Sequence, residues 1–341
     1  MYRFITSALL LILLSANPLN ASWLDKTLRY LTEQEDGSQP SWANSILGES
    51  TPADMLERAH ALNRAGKISS AKRLYKKLIK RFPLASESGQ AYFAWAQIES
   101  SREHWIRAFN HLQAVVDEHP DFDQFNKLIQ LQFECATALQ DGARSRLLWV
   151  FPGFKQYGKA IEQYESIVKN APYSQYAPLA LMNVALIAEQ RKDSDLAIDA
   201  LDRLINDYPQ SMLAPDAYFN LAETYASLVK GSEYDQGATR EAIRYFEDFL
   251  ILFPQSDFAP KVEQRIDEMQ TLEAESRFQL GEFFYLYRSN PTAALVFYNE
   301  TLSLAPKSEL AKQAEARITA INDGIRAETA ASFVRRLLFI Q

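Results

Sequence analysis

The stretch LAIDALDRLINDYPQS, residues 196–211, decides the fold. It places an alanine, Ala197, twelve residues ahead of a proline, Pro209, and a large apolar residue, Leu201, eight ahead of it. The same register recurs around Pro83, Pro120, Pro172, Pro254 and Pro306. The alanines there are Ala71, Ala108, Ala160, Ala242 and Ala294, and the large residues Tyr75, Leu112, Tyr164, Phe246 and Tyr298. Six matches in one register define an internal repeat.

The physics of the repeat is that of a helical hairpin. Proline lacks an amide proton and disfavours helical torsions in the residue before it, so it ends the second helix. Alanine four residues ahead of a bulky side chain lets that helix approach its partner closely, while the bulky group fills the adjacent groove. A first helix with its own small residue lies upstream, as in LMNVALIAEQ with Ala185 and YFNLAETYAS with Ala222. This is the tetratricopeptide pattern. The prolines are 37, 52, 37, 45 and 52 residues apart, against a period of about 34, so the surplus marks insertions. The expected fold is an all-α solenoid of about six tetratricopeptide hairpins with a C-terminal capping helix, whose first helices line a concave binding groove. Serines two residues after the last four prolines, Ser174, Ser211, Ser256 and Ser308, are placed to cap the next helix; the first two prolines lack one.

Composition agrees with this reading. The 341 residues are 47% hydrophobic and 23% charged, with 11 glycines and 14 prolines, which favours packed helices over strands or disorder. A net charge of −7 argues against a nucleic-acid partner. Glycine-rich phosphate loops, paired cysteines and serine-elbow motifs are absent from the sequence. His104 and His111 sit two turns apart, about 10 Å along a helix, too far to share a tetrahedral metal. The chain therefore reads as non-catalytic, with no cofactor and no metal. Its single cysteine, Cys135, falls in the apolar pattern LIQLQFECATAL and reads as a core residue.

Residues 1–21 read as an export signal: Arg3, then the apolar run Ala8–Leu14, then a small residue at Ala21 where cleavage is expected. Residues 22–50 form an N-terminal segment, 51–123 two repeats, 124–322 the main array and 323–341 an amphipathic tail.

From about Phe125 to Asn322 the chain resembles the BamD (ComL) family of outer-membrane protein assembly factors. The resemblance rests on AIEQYESIVKNAPYSQYAPLALMNVALIAEQRKDSDLAIDALDRLINDYPQS, on the long repeat APDAYFNLAETYASLVKGSEYDQGATREAIRYFEDFLILFPQSDFAP, and above all on RIDEMQTLEAESRFQLGEFFYLYRSNPTAALVFYNETLSLAPKSELAKQAEARI. That last segment joins an unusually long first helix, roughly Phe258 to Tyr287, to a closing repeat. The resemblance implies a periplasmic scaffold that docks on the periplasmic domains of a barrel insertase and helps deliver unfolded outer-membrane proteins. Members are typically lipoproteins; here NPLNAS stands where the acylated cysteine would be, so the expected location is the periplasm, peripheral to the outer membrane. A generic periplasmic tetratricopeptide scaffold, such as one serving the Tol–Pal system, is the alternative.

Three stretches stand out as candidate contact sites. RAGKISSAKRLYKKLIKRFP, residues 64–83, has no acidic residue and sets Lys72, Lys76 and Lys80 in one row and Arg73, Lys77 and Arg81 in the next. This basic face is either a solvated surface or one drawn to anionic headgroups or an acidic partner. The insertion RLLWVFPGFKQYGK, residues 146–159, gathers Trp149, Phe151, Phe154 and Tyr157 between the helices of the third repeat. It is either a plug over a neighbouring repeat or an aromatic anchor for a partner. The tail IRAETAASFVRRLLFIQ either covers the last hairpin or docks elsewhere.

Overall fold

The computed structural model describes residues 51–142, 156–232 and 236–325. The described residues contain thirteen α-helices and one π-helical turn, and no strand. Two compact units divide them, one reaching Ala138 and one taking residues 139–142 and everything from 156 onward. The first unit holds the hairpins α1 (Pro52–Arg64)–α2 (Ile68–Arg81) and α3 (Ser86–Ser100)–α4 (Trp105–Glu118), then α5 (Phe125–Gln140) up to residue 138. The second holds α6 (Tyr157–Asn170), the hairpins α7 (Tyr176–Gln190)–α8 (Ser194–Asp207) and α9 (Ala214–Ser227)–α10 (Gly237–Leu252), the long α11 (Ala259–Glu282) with a π-turn over Phe283–Tyr287, α12 (Pro291–Leu304) and α13 (Glu309–Asn322). Consecutive helices pack on one another from α1 to α4 in the first unit and from α6 to α13 in the second, as in a solenoid. The first hairpin opens on a capping box: Thr51 Oγ1 accepts from the Asp54 amide and the Asp54 carboxylate from the Thr51 amide, each at 3.1 Å.

The repeat register is met at every copy. Ala71, Ala108, Ala160, Ala197, Ala242 and Ala294, with Tyr75, Leu112, Tyr164, Leu201, Phe246 and Tyr298, are all 0% exposed. Second helices also end alike. The residue before each proline, from Phe82 to Ala305, has φ between −127° and −141° and ψ between 50° and 66°. Its carbonyl accepts the amide three residues on, as in Ser174 N–H to Ala171 O at 3.0 Å. Four first helices end differently, on a left-handed residue: Gly66, Glu103, Gly142 and Lys192 have φ of 71°, 62°, 85° and 57°. After Gly66, Glu103 and Lys192 the next amide reaches back five residues, which closes a Schellman turn into the second helix.

The four serines correct one expectation. Only Ser308 is an N-cap, accepting from the Ala311 amide at 3.1 Å. Ser174, Ser211 and Ser256 accept the amide two residues on, at 3.2–3.3 Å, and build the turn ahead of the helix. The helix starts later there because the serine's own carbonyl accepts the amide three residues on, from Ala177, Ala214 and Ala259, so a further turn is completed first. Ser174 and Ser308 also donate to the carbonyl before the proline, and Ser88 does the same toward Phe82 O at 2.7 Å in the first repeat, where the serine pattern is missing.

The long first helix of the sixth repeat appears as read: α11 runs to Glu282 and continues through the π-turn to Tyr287. At Gly281 an added Cβ would lie 2.6 Å from the Tyr298 ring, so only glycine admits that close approach.

Candidate functional site

On α2 the apolar side is Ala71, Tyr75 and Leu78, and it faces the core with Met55, Leu56 and Ala59 of α1. The cations occupy the rest of the circumference, and Arg73, Lys76, Lys77 and Lys80 are exposed. Arg73 bonds back to Ser69 O at 3.3 Å, and Arg81 lies over the Phe82 ring at 5.2 Å. Lys72 departs from the expected basic face: its Nζ pairs with Glu99 of α3 at 2.5 Å, and its side chain is only 21% exposed. The acid that draws it inward lies 27 residues away, outside the run that reads as purely basic.

Glu99 organises the first unit. Its carboxylate is buried and accepts from Lys72, from Trp95 Nε1 at 3.0 Å and pairs with His104 Nδ1 at 2.7 Å. Burial alone would raise its pKa, but the hydrogen bonds from Lys72, His104 and Trp95 outweigh it and hold the carboxyl at about 2. His104 precedes α4 at its N-cap, whereas His111 lies inside α4 and stacks on Trp95 with ring centroids 4.3 Å apart. Burial pushes the His111 pKa down. Among the described residues no group of three or more His, Cys, Asp or Glu side chains is placed to hold a metal ion.

The second unit uses charge differently. Arg203 of α8 grips Glu165 of α6 through two bonds of 3.0 Å, Arg265 of α11 grips Glu223 of α9 through two of 2.9 Å, and Arg317 of α13 grips Glu282 of α11 at 2.7 and 3.0 Å. Each pair links one repeat to the next in fork geometry. Glu282 also accepts from Tyr298 Oη at 2.6 Å.

Of the expected aromatic anchors, Trp149, Phe151 and Phe154 lie outside the described residues, as do residues 326–341 of the tail. Tyr157 is described, at the start of α6, with its hydroxyl donating to Gln190 Oε1 at 2.7 Å. The structure adds a surface that sequence reasoning missed. At successive inter-repeat turns of the second unit stand Tyr173, 100% exposed, and Met212, 95% exposed, followed by Ile251 and Leu252 at the end of α10. Successive turns of a solenoid fall along one edge, so these side chains form an apolar edge. Residues in Pro-Tyr-Ser and Pro-Gln-Ser-Met turns carry no periodicity, and periodicity is what separates inside from outside in a helix.

Helical hairpins in a fixed register, joined by turns of one geometry, define a tetratricopeptide-repeat protein. A tetratricopeptide repeat model matches residues 55–85, and the YfiO family model, described as outer membrane lipoprotein, matches residues 154–336. That match takes in more than half of the chain, and the protein belongs to the YfiO family. It is 28% identical over 148 residues to the outer membrane protein assembly factor BamD of Rickettsia prowazekii, covering 43% of this chain and 59% of the relative. It is 22% identical over 139 residues to BamD of Caulobacter vibrioides, covering 41% and 45%. The chain thus spans about half the length of the curated relatives it matches. Similar solved structures include a tetratricopeptide repeat protein from Parabacteroides merdae, with TM-score 0.31, 13% identity, and coverage of 79% of this chain and 98% of that one. Another is a tetratricopeptide protein from Thermus thermophilus, with TM-score 0.29, 17% identity, and coverage of 63% and 98%.

Cys135 is buried in α5, and burial pushes its thiol up to about 12, as befits a packed core residue. Among the described residues no helix is long and apolar enough to cross a membrane.

Proposed function

We propose that this protein is a non-catalytic periplasmic scaffold of outer-membrane β-barrel protein assembly. It holds partner subunits, the periplasmic domains of the barrel insertase first among them, and unfolded outer-membrane proteins. The observation that carries this reading is that the family match falls on the second unit, the one with the exposed apolar edge. Tyr173, Met212, Ile251 and Leu252 are the side chains a protein partner would bury there. Crosslinked affinity purification from envelope fractions tests it: recovery of a barrel-insertase subunit is expected, and recovery of Tol–Pal proteins alone would overturn it.

Two further contacts belong to the proposal. The exposed cations Arg73, Lys76, Lys77 and Lys80 attract anionic headgroups at the membrane surface, each near-surface cation contributing on the order of 1 kcal/mol. Lys72 and Arg81, engaged by Glu99 and Phe82, contribute less. The insertion around Trp149, Phe151 and Phe154 is a second anchor for a partner, beside Tyr157.

A further inference from the structure

We infer that the tip of the α11–α12 hairpin is a membrane-surface anchor, which sets Phe283 and Tyr287 into the interface of a bilayer and Arg288 among its anionic headgroups. The inference goes beyond the proposed function and does not rest on it. It begins with the sequence of the tip. Residues 283–299, FFYLYRSNPTAALVFYN, hold six aromatic side chains, one cation, Arg288, and no acid, in a chain whose net charge is −7. The tips of α1–α2, α3–α4 and α7–α8 are charged instead, with Arg64 and Lys67, Arg102 and Glu103, and Arg191, Lys192 and Asp193. None of those three exposes a large apolar side chain. Here Phe283 is 45% and Tyr287 75% exposed, and Val296 is exposed with them. Ile325, also exposed, joins the same end of the array, where its carbonyl accepts from Tyr285 Oη at 2.7 Å.

The fold explains why these rings are uncovered. A hairpin is flanked by the one before it, and α9–α10 stops short of this tip. Arg240, near the start of α10, reaches Glu273 of α11, and Ser232, in the loop ahead of α10, accepts from Gln279 Nε2 at 2.9 Å. Those contacts fix the level of the preceding loop on α11. From Gln279 the long helix and its π-turn continue for eight residues to Tyr287, roughly 10 Å further. The tip therefore projects past its neighbour. Leu280, Phe283 and Tyr287, all exposed, follow one another along that stretch at spacings of three and four, which puts them on one side of it.

The tip is built to hold the rings out. The Arg288 amide reaches back five residues to Phe283 O at 3.2 Å, which closes the wide turn, and Ser289, with φ of 49°, reverses the chain. Tyr287 stacks on Phe283 at 6.2 Å, Phe283 meets Phe284 at 5.5 Å, and Phe284 stacks on Phe297 of α12 at 5.3 Å. The outer rings rest on inner ones, and the space beneath is already filled by Tyr285 and Tyr298, both buried. The surroundings choose the occupant. A protein partner is recognised by fitted pockets and complementary charges, whereas this tip projects and is ringed by Ser289, Asn290, Pro291 and Thr292, exposed and uncharged. A bilayer asks for neither. Its interface takes aromatic rings at headgroup level, and its anionic headgroups attract a cation that no acid of the tip neutralises.

The test uses the full chain carrying one environment-sensitive dye, NBD, at Tyr287→Cys or, as a control, at Met212→Cys; Cys135 is buried and does not compete for it. With vesicles of phosphatidylethanolamine and one quarter phosphatidylglycerol, emission at 287 should shift to the blue and be quenched by nitroxide-bearing lipid, while emission at 212 stays as it was. Phe283→Ser combined with Tyr287→Ser should weaken partitioning into those vesicles about tenfold, with the thermal midpoint unchanged. An unresponsive dye at 287 overturns the inference, whether the protein stays in solution or floats with the vesicles through another surface. A dye at 287 that turns blue with rising protein concentration and no lipid would overturn it too, by assigning the tip to a protein contact. So would one that is blue from the start and turns red when residues 326–341 are removed, which would assign the tip to the chain's own tail.

Discussion

In the first unit the buried charge is one carboxylate, Glu99, served by a lysine, an indole and a histidine; in the second, the buried carboxylate Glu273 pairs with Arg240 and Arg277, and three half-buried arginine–glutamate forks tie one repeat to the next. All four histidines of the protein lie between residues 60 and 119, and none lies in the second unit. The same hairpin is thus held by a concentrated, titratable network in one place and by forks of strong bases in the other. A repeat register fixes how helices pack, and it leaves open which polar chemistry fills the seams between them.

The largest effects should come from the feature the units share. Ala197→Leu or Ala242→Leu forces a bulky group into a position with no free volume and should cost about 1–3 kcal/mol each, measured by urea unfolding. Wild-type stability in both would break the register. Next comes Glu99→Gln in the first unit, which replaces three charge-assisted bonds by weaker ones and should cost about 1.5–3 kcal/mol. Replacing Arg265 with Met, which unties one fork in the second unit, should cost about 1 kcal/mol or less, since the pair is partly exposed to solvent. If Arg265→Met proves the more damaging of the two, the contrast between the units fails.

Acid sharpens the same contrast. Burial lowers the pKa values of His60, His111 and His119 below their usual 6.5. Their contribution is therefore complete above about 6.5 and is lost as pH falls through the lower folded values. Glu99, held at about 2, adds stability that is present above about 4.5 and lost as pH drops toward 2. Region-resolved hydrogen exchange, corrected for intrinsic rates, should show α2 to α4 losing protection on acidification before α7 to α10 do.

How much of this was legible in the sequence follows from which physics leaves a periodic trace. The six alanine–bulky–proline registers, the long α11 and the basic run on α2 are patterns along the chain, and each is where it was read. Lys72 was misassigned to the outer face because its partner Glu99 belongs to another helix, and one-helix geometry cannot see across a seam. The left-handed residues that close first helices include Glu103, Lys192 and Ser289, residue types that do not announce a positive φ. Tyr173 and Met212 were missed because a turn has no inside or outside until the repeats on both sides are packed.

The central claim is that protein partners meet the second unit along its apolar edge, and site-specific photocrosslinking in living cells addresses it directly. A photoreactive residue at Tyr173 or Met212 should give an adduct containing a barrel-insertase subunit, while one at Glu57, on the exposed surface of α1 in the first unit, should give none. Adducts from Glu57 but not from Tyr173 or Met212 would contradict the account.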